Sequence, residues 1–425
     1  MVTSAEQQRL RADFPVLQRL GRSGRPVVYL DSAATAQKPQ VVIDAEVDFY
    51  EKRNAAVHRG AHQLAEEATD AFEAARAAVA EFVGAQIDEI VFTRNATEAI
   101  NMIATAMGNA SLGRGGVGAE KYALKPGDEI VVTEAEHHAN LVPWQELCTR
   151  TGATLKWIGI GDDGRLQTEQ LAHVVTERTR VIAFTHASNV LGAVTDVAPF
   201  VAAAKAVGAV TVLDACQSTA HIPVNLADLE VDFAAFSGHK LYGPTGIGVL
   251  YGRREMLADL PPAVFGGSMV ELVTMTEATF MPPPQRFEAG TPVVAQAVGL
   301  HAAVQYLMDT GMDGVARHEQ ELTDYLLPRI AEIPHVQVIG PLDSANRLAV
   351  VAFDLAQVHP HDVGQVLDSQ GIAVRVGHHC AQPLHRRFGL AATSRVSAGI
   401  HTTIEELEEF LAALTQVRTF FGLGE

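Results

Sequence analysis

A chain of 425 residues with 48% hydrophobic and 19% charged residues can bury a sizeable core, and its length alone predicts two domains. The 50 acidic and 32 basic residues leave a formal net charge of −18, and no Lys/Arg cluster is large enough for a polyanion, which excludes nucleic acid as a partner. Cys148, Cys216 and Cys380 are too few for a disulfide framework and match no zinc knuckle, so no metal site is expected. The N-terminal MVTSAEQQRLRADF has no apolar signal core, and no apolar run reaches membrane-spanning length. A cytoplasmic protein without membrane association is expected, in a compartment where thiols stay reduced.

In chain order, strands are predicted at 89–93 (EIVFT), 129–133 (EIVVT), 154–158 (TLKWI), 180–185 (RVIAFT), 210–214 (VTVLD), 232–236 (DFAAF) and 247–251 (IGVLY). Near-continuous apolar strands separated by helices indicate a buried, mainly parallel sheet of seven strands in an α/β domain. Helices are predicted at 65–83, with Phe72, Ala75 and Val79 on one face, and at 199–207. The glycine-rich stretch 108–127 has no apolar period and reads as an exposed loop. Near residue 295 the character changes: a helix at 298–308, strands at 336–339 and 349–353, and helices at 361–368 and 404–421 describe a smaller α+β domain. The expected division is 31–295 for the large domain, with 1–30 and 296–425 forming the small one.

Two glycine clusters mislead. GRGGVG at 113–118 follows no strand, and GPTGIG after Lys240 lacks the Lys-Ser/Thr of a P-loop. The informative residues follow the apolar strands, where open α/β sheets bind ligands. These loops carry Arg94 to Thr97, Glu136-His137-His138, His186 to Asn189, Asp214 to Gln217, and Ser237-Gly-His239-Lys240. Asp214 ends an apolar run, where a carboxylate either caps the next helix or pairs with a buried cation such as a pyridinium. Most lysines are solvated, but the surroundings of Lys240 are small and apolar, a setting that suits imine formation. Ser237, His239 and Thr97, beside a predicted helix start, could hold a phosphate.

The segments FSGHKLYGPTGIG, DACQ, EHHAN, SNVLG, RFEAGTP and VRVGHHCA resemble fold-type I pyridoxal-phosphate enzymes of the class V aminotransferase type. Within that group they resemble SufS-type (group II) cysteine desulfurases, and the resemblance runs from LDSAATAQKP to the C-terminal helix. RVGHHCA is the most specific element, separating desulfurases from plain aminotransferases. The resemblance implies that Lys240 forms an imine with pyridoxal 5'-phosphate, that Asp214 pairs with the ring nitrogen, and that Gln217 bonds the phenolic oxygen. It implies that His137 stacks on the ring, that Thr97, Ser237 and His239 bind the phosphate, and that Thr291 reaches the phosphate of a neighbouring subunit in a homodimer. Asn189 and Arg395 would hold the carboxylate of L-cysteine, with His58, Arg59 and Arg375 lining the entry.

Cys380 would be the nucleophile that receives sulfur as a persulfide, for passage to an acceptor in iron–sulfur cluster assembly. A lone cysteine is more often a small buried hydrophobe. Here two histidines and Arg375 offer positive neighbours and Gly377 permits an exposed loop. A zinc site on His378, His379 and Cys380 is disfavoured, because three consecutive residues do not easily face one metal. The resemblance also implies exchange of His361 onto the zinc of a SufU-type acceptor, in preference to a SufE-type partner, with an ordinary solvated histidine near His359 as the equal alternative. A selenocysteine lyase is the alternative activity. His401 and Thr402 depart from the family pattern, and the stretch 108–127 exceeds its usual length.

Overall fold

The computed structural model describes residues 4–424. Its main sheet contains β1 (Ile90–Thr93), β2 (Glu129–Thr133), β3 (Thr154–Ile158), β4 (Thr179–Thr185), β5 (Val210–Asp214), β6 (Phe233–Ser237) and β7 (Gly248–Gly252). Their spatial order is β1-β7-β6-β5-β4-β2-β3. β7 is antiparallel to β1 and β6, and every other neighbouring pair is parallel. The apolar runs are explained by burial on both faces: β1, β2, β5, β6 and β7 are buried along their whole length. β3 is an edge strand, which is why its tryptophan, Trp157, is exposed.

The register places Asp214 beside Thr185 on one side and Ala235 on the other, so β4 and β5 end level and β6 runs on to Ser237. The chain leaves β2 for β3 on one side and returns as β4 on the other. The loops after β2 and β4 therefore diverge, opening a crevice at the switch point. The helix Gln63–Phe82 begins where the His62 ring accepts the Ala65 N–H and buries Phe72, Ala75 and Val79. The helix Ala96–Ser111 begins at Asn95, whose side chain accepts the Glu98 N–H.

A second, wholly antiparallel sheet has the order β8 (Val336–Ile339), β9 (Val350–Leu355), β11 (Thr393–Ser397), β10 (Arg375–Gly377). Its core joins Leu322 and Leu326 of the helix Met312–Ala331 to Phe353, Phe410 and Leu414. The helix Val294–Thr310 shares the core of the large sheet instead, packing with Phe49, Phe72 and Val79. The N-terminal helix Ser4–Ala12 joins the second unit: Gln7 donates to the carbonyls of Ile400 and Thr402, and Arg11 pairs with Glu406 at 2.6 Å.

The stretch 108–127 corrects the expectation of an exposed loop. Ala96–Ser111 runs through Gly108, and the 3-10 turn Val117–Tyr122 buries Ala119 and Tyr122. The Tyr122 hydroxyl donates to the Met256 carbonyl at 2.7 Å. The glycines concealed one buried aromatic anchor that lacks a periodic neighbour.

Candidate active site

The ends of β2, β4, β5 and β6, the N-terminus of Ala96–Ser111 and the segment after β10 surround a cavity of about 440 Å³. Asp214 lines it from the last position of β5, and its Oδ1 accepts the Cys216 N–H at 3.0 Å. Lys240 follows β6 after one turn of 3-10 helix, and among the described residues its Nζ has no hydrogen bond or ion pair. The Cys216 thiol also lines the cavity, but burial and the Asp214 charge push its pKa up and keep it protonated.

His137 lines the same wall, with Nδ1 accepting the Ala139 N–H at 3.0 Å. Burial, then the Lys240 charge, lower its pKa to about 4, so the ring is neutral with its proton on Nε2. Ser237 Oγ accepts the Ala96 N–H at 2.9 Å, tying β6 to the helix start where Thr97 faces the cavity. His239 lines the cavity beside them; burial, Lys240 and Lys38 lower its pKa to about 4.

On the opposite side, Arg395 is 2% exposed. It donates through Nη1 to the Asn189 backbone carbonyl at 2.9 Å and through Nη2 to Asp31 Oδ1 at 3.0 Å. A buried guanidinium needs such partners, and its Nε has none among the described residues. Asn189 Nδ2 donates to the His379 carbonyl at 2.8 Å. Arg375 lines the cavity, with Nη1 3.9 Å from Asp31 Oδ2.

Cys380 reaches the cavity from an exposed loop between β10 and the short helix Gln382–Arg387. Gly377 has φ 120°, and His379 and Cys380 have left-handed φ of 50° and 56°. One of the two histidines, His379, does not supply the expected positive charge. His379 is buried with Nε2 at 2.8 Å from Thr393 Oγ1; burial and Arg395 hold its pKa down to about 2. Arg375 is left as the cationic neighbour. Among the described residues no three His, Cys, Asp or Glu side chains are grouped to hold a metal ion.

The other sequence candidates lie elsewhere within this one chain. Gln217 is buried behind Ala33, to whose carbonyl its Nε2 donates at 3.0 Å. His58 holds a left-handed turn, its Nε2 2.9 Å from Glu73, and neither it nor the exposed Arg59 lines the cavity. Thr291 lines a separate hollow with Arg94 and Val264. Glu288 anchors that segment by accepting from Arg76 at 2.7 and 2.9 Å and from the Phe92 N–H. His361 is exposed in the first turn of Pro360–Ser369, a helix packed against β10. His401 is fully buried, edge-on to Phe14 at 5.1 Å.

Sequence reasoning missed Asp31 and Lys38, and placed Glu136 near the pocket without giving it a role. Asp31 pairs with Arg395, although burial raises its pKa overall. Lys38 donates to Thr35 Oγ1, the Ala36 carbonyl and the His239 carbonyl, and burial lowers its pKa to about 8. Glu136 accepts from Thr133, Asn140 and the Thr185 N–H; burial raises its pKa to about 8, with the Asp214 charge adding to the rise. Each stands in a quoted motif (LDSAATAQKP, EHHAN), which was the available signal.

The unpaired Lys240 amine, the Asp214 carboxylate at the strand end and the amide-rich helix start suit pyridoxal phosphate. Residues 28–410 match the family model "Aminotransferase class-V". "Probable cysteine desulfurase 2" of Mycobacterium leprae is 53% identical over 422 residues, covering 99% of each chain. The apo cysteine desulfurase of Thermococcus onnurineus NA1 superimposes with a TM-score of 0.90 at 37% identity, covering 97% of this chain and 98% of that one. The Escherichia coli cysteine desulfurase CsdA, solved as an S-sulfonic acid, gives 0.87 at 37% identity with the same coverage. The chain belongs to the class-V aminotransferase family, among its pyridoxal-phosphate-dependent cysteine desulfurases.

Proposed function

We propose that this enzyme is a SufS-type desulfurase that takes the sulfur of L-cysteine onto Cys380 and passes it to an acceptor for iron–sulfur cluster assembly in the cytoplasm. One observation carries the reading: the cavity lined by Lys240 and Asp214 is also lined by Cys380.

Bound pyridoxal phosphate supplies an electron sink for the charge left when the substrate α-proton departs. The Lys240 amine holds the cofactor and then moves that proton. Asp214 would keep the ring nitrogen protonated, and the neutral His137 would meet the ring without adding charge. Thr97, Ser237, His239 and the start of Ala96–Ser111 receive the phosphate, and Gln217 receives the phenolic oxygen. Arg395 and Asn189 hold the substrate carboxylate, with Arg375 beside them. Cys380 sulfur attacks the substrate sulfur, forming an S–S bond as the Cβ–S bond breaks. The electron pair goes to Cβ, which takes up a proton, the Lys240 amine returns the first proton to Cα, and alanine leaves.

A homodimer with shared sites completes the arrangement. Val264, Phe265, Leu272, Val273 and Met275 form an exposed apolar group around the hairpin Val270–Val273/Ala278–Phe280, and Val264 shares its hollow with Thr291. A second copy seated there would bring Thr291, and with it His58 and Arg59, toward its neighbour's cavity. His361, exposed one element away from the strand that leads to Cys380, suits exchange onto the zinc of a SufU-type acceptor.

The test is a single turnover with L-cysteine, followed by mass analysis of the Cys380 peptide and quantification of alanine. One extra sulfur atom on that peptide, absent from Cys380→Ala, supports the reading. Full alanine production by Cys380→Ala overturns it.

A further inference from the structure

His138 lines no part of the cavity, yet it grips the Cys380 loop at two points. Its backbone N–H donates to the Cys380 carbonyl at 2.7 Å, and its Nε2 accepts the Gln382 N–H at 3.1 Å. These bonds bracket Ala381 and flank the left-handed pair His379–Cys380. A non-glycine residue in that region is strained and persists only when its surroundings over-determine it. Three contacts do so here: the two from His138, and the Asn189 amide on the His379 carbonyl. A local bond from the Ala381 N–H to the His378 carbonyl, 2.8 Å, tightens the turn.

The direction of these bonds fixes the ring's chemistry. An Nε2 that accepts places the proton on Nδ1, so the imidazole is neutral, and a protonated ring would have no acceptor to offer. Burial and His378, whose ring centroid is 5.7 Å away, keep its pKa below the usual histidine value. His138 also follows His137 directly. One dipeptide therefore touches the cofactor cavity with its first ring and the nucleophile loop with its second.

We propose that His138 is a positioning residue for sulfur transfer, setting Cys380 at the cavity through its backbone N–H and its accepting Nε2. The proposal rests on the reading of Cys380 as the sulfur acceptor. Loss of the ring acceptor frees the Gln382 end of the loop, lets the left-handed pair relax, and moves the sulfur out of line. Displacement by about 1 Å is enough to cost on the order of 100-fold in rate.

The test compares the parent, His138→Ala and His138→Gln as holoenzymes. Gln keeps a neutral acceptor oxygen in reach of the Gln382 N–H. His138→Ala should slow persulfide formation on Cys380 by roughly 10- to 100-fold, while half-saturation by cysteine stays unchanged. His138→Gln should recover most of the rate. In the cofactor-free protein, hydrogen–deuterium exchange across 380–383 should quicken in the Ala variant and return toward the parent in the Gln variant. A parental persulfide rate in His138→Ala, or a Gln variant no better than Ala, overturns the proposal. Cys380→Ala in parallel separates the two ideas: parental alanine output there sinks the reading of Cys380, whereas the exchange experiment judges the clamp independently.

Discussion

Asp214 and Lys240 stand at the ends of strands buried on both faces, whereas Cys380 stands on an exposed loop whose apex holds two left-handed residues. Strand register fixes the first group: Asp214 lies level with Thr185 and Ala235 because whole strands pair. Hydrogen bonds that cross between the two sheets' units fix the second, from Asn189 to His379 and from His138 to Cys380 and Gln382. A site built on register resists single substitutions, while one built on a few cross-links is soft. The cofactor end should therefore respond to changes in its reacting groups, and the nucleophile end to changes in its supports.

The largest effect expected is at Lys240. Lys240→Ala should lose the visible absorbance of the bound cofactor and at least about 1000-fold in turnover; substantial remaining turnover would break the assignment of the cofactor end. Cys380→Ala should keep that absorbance and make no persulfide, with alanine output down roughly 100-fold. If both variants lost the absorbance, the two ends would not be separable.

The join between the ends can be loosened too. His221, on the short helix after Gln217, lies with Nδ1 2.5 Å from Glu319, which also accepts the Ala349 N–H at the start of the second sheet's core strand. Both side chains are buried, so His221→Ala leaves a buried carboxylate without its partner and should cost about 3–5 kcal/mol in urea unfolding. Burial pushes the Glu319 carboxyl up, but His221 and the Ala349 N–H outweigh it, and the folded pKa falls below the ordinary 4.5. Its stabilisation is present above 4.5 and is lost as pH falls through the folded value. The parent should thus lose stability on acidification over that window, and His221→Ala should lose less. Equal slopes would show that the pair does not link the units. The smallest effect is at His361: His361→Ala should lower only the stimulation by a zinc-containing acceptor, and unchanged stimulation would remove that role.

Much of this comparison was legible before any coordinates. Most of the seven apolar runs are strands buried on both faces, the edge strand β3 being the exception, and polar residues that close such runs project from strand ends. The cross-links were not legible. Asp31 and Arg395 are 364 residues apart, and His138 and Gln382 are 244 apart, with no periodicity to pair them. The His379 part of the positive surroundings expected for Cys380 failed for a related reason. Burial decides whether a histidine is charged, and the burial of His379 depends on Thr393 and Arg395, which arrive from another strand.

The most direct test of a cavity with two differently built ends is one turnover of L-cysteine, with cofactor absorbance and the mass of the Cys380 peptide followed in the same sample. The absorbance should change as alanine appears, and one sulfur atom should be added at Cys380. Alanine formation with the sulfur on no residue, or on Cys148 or Cys216, would contradict the account.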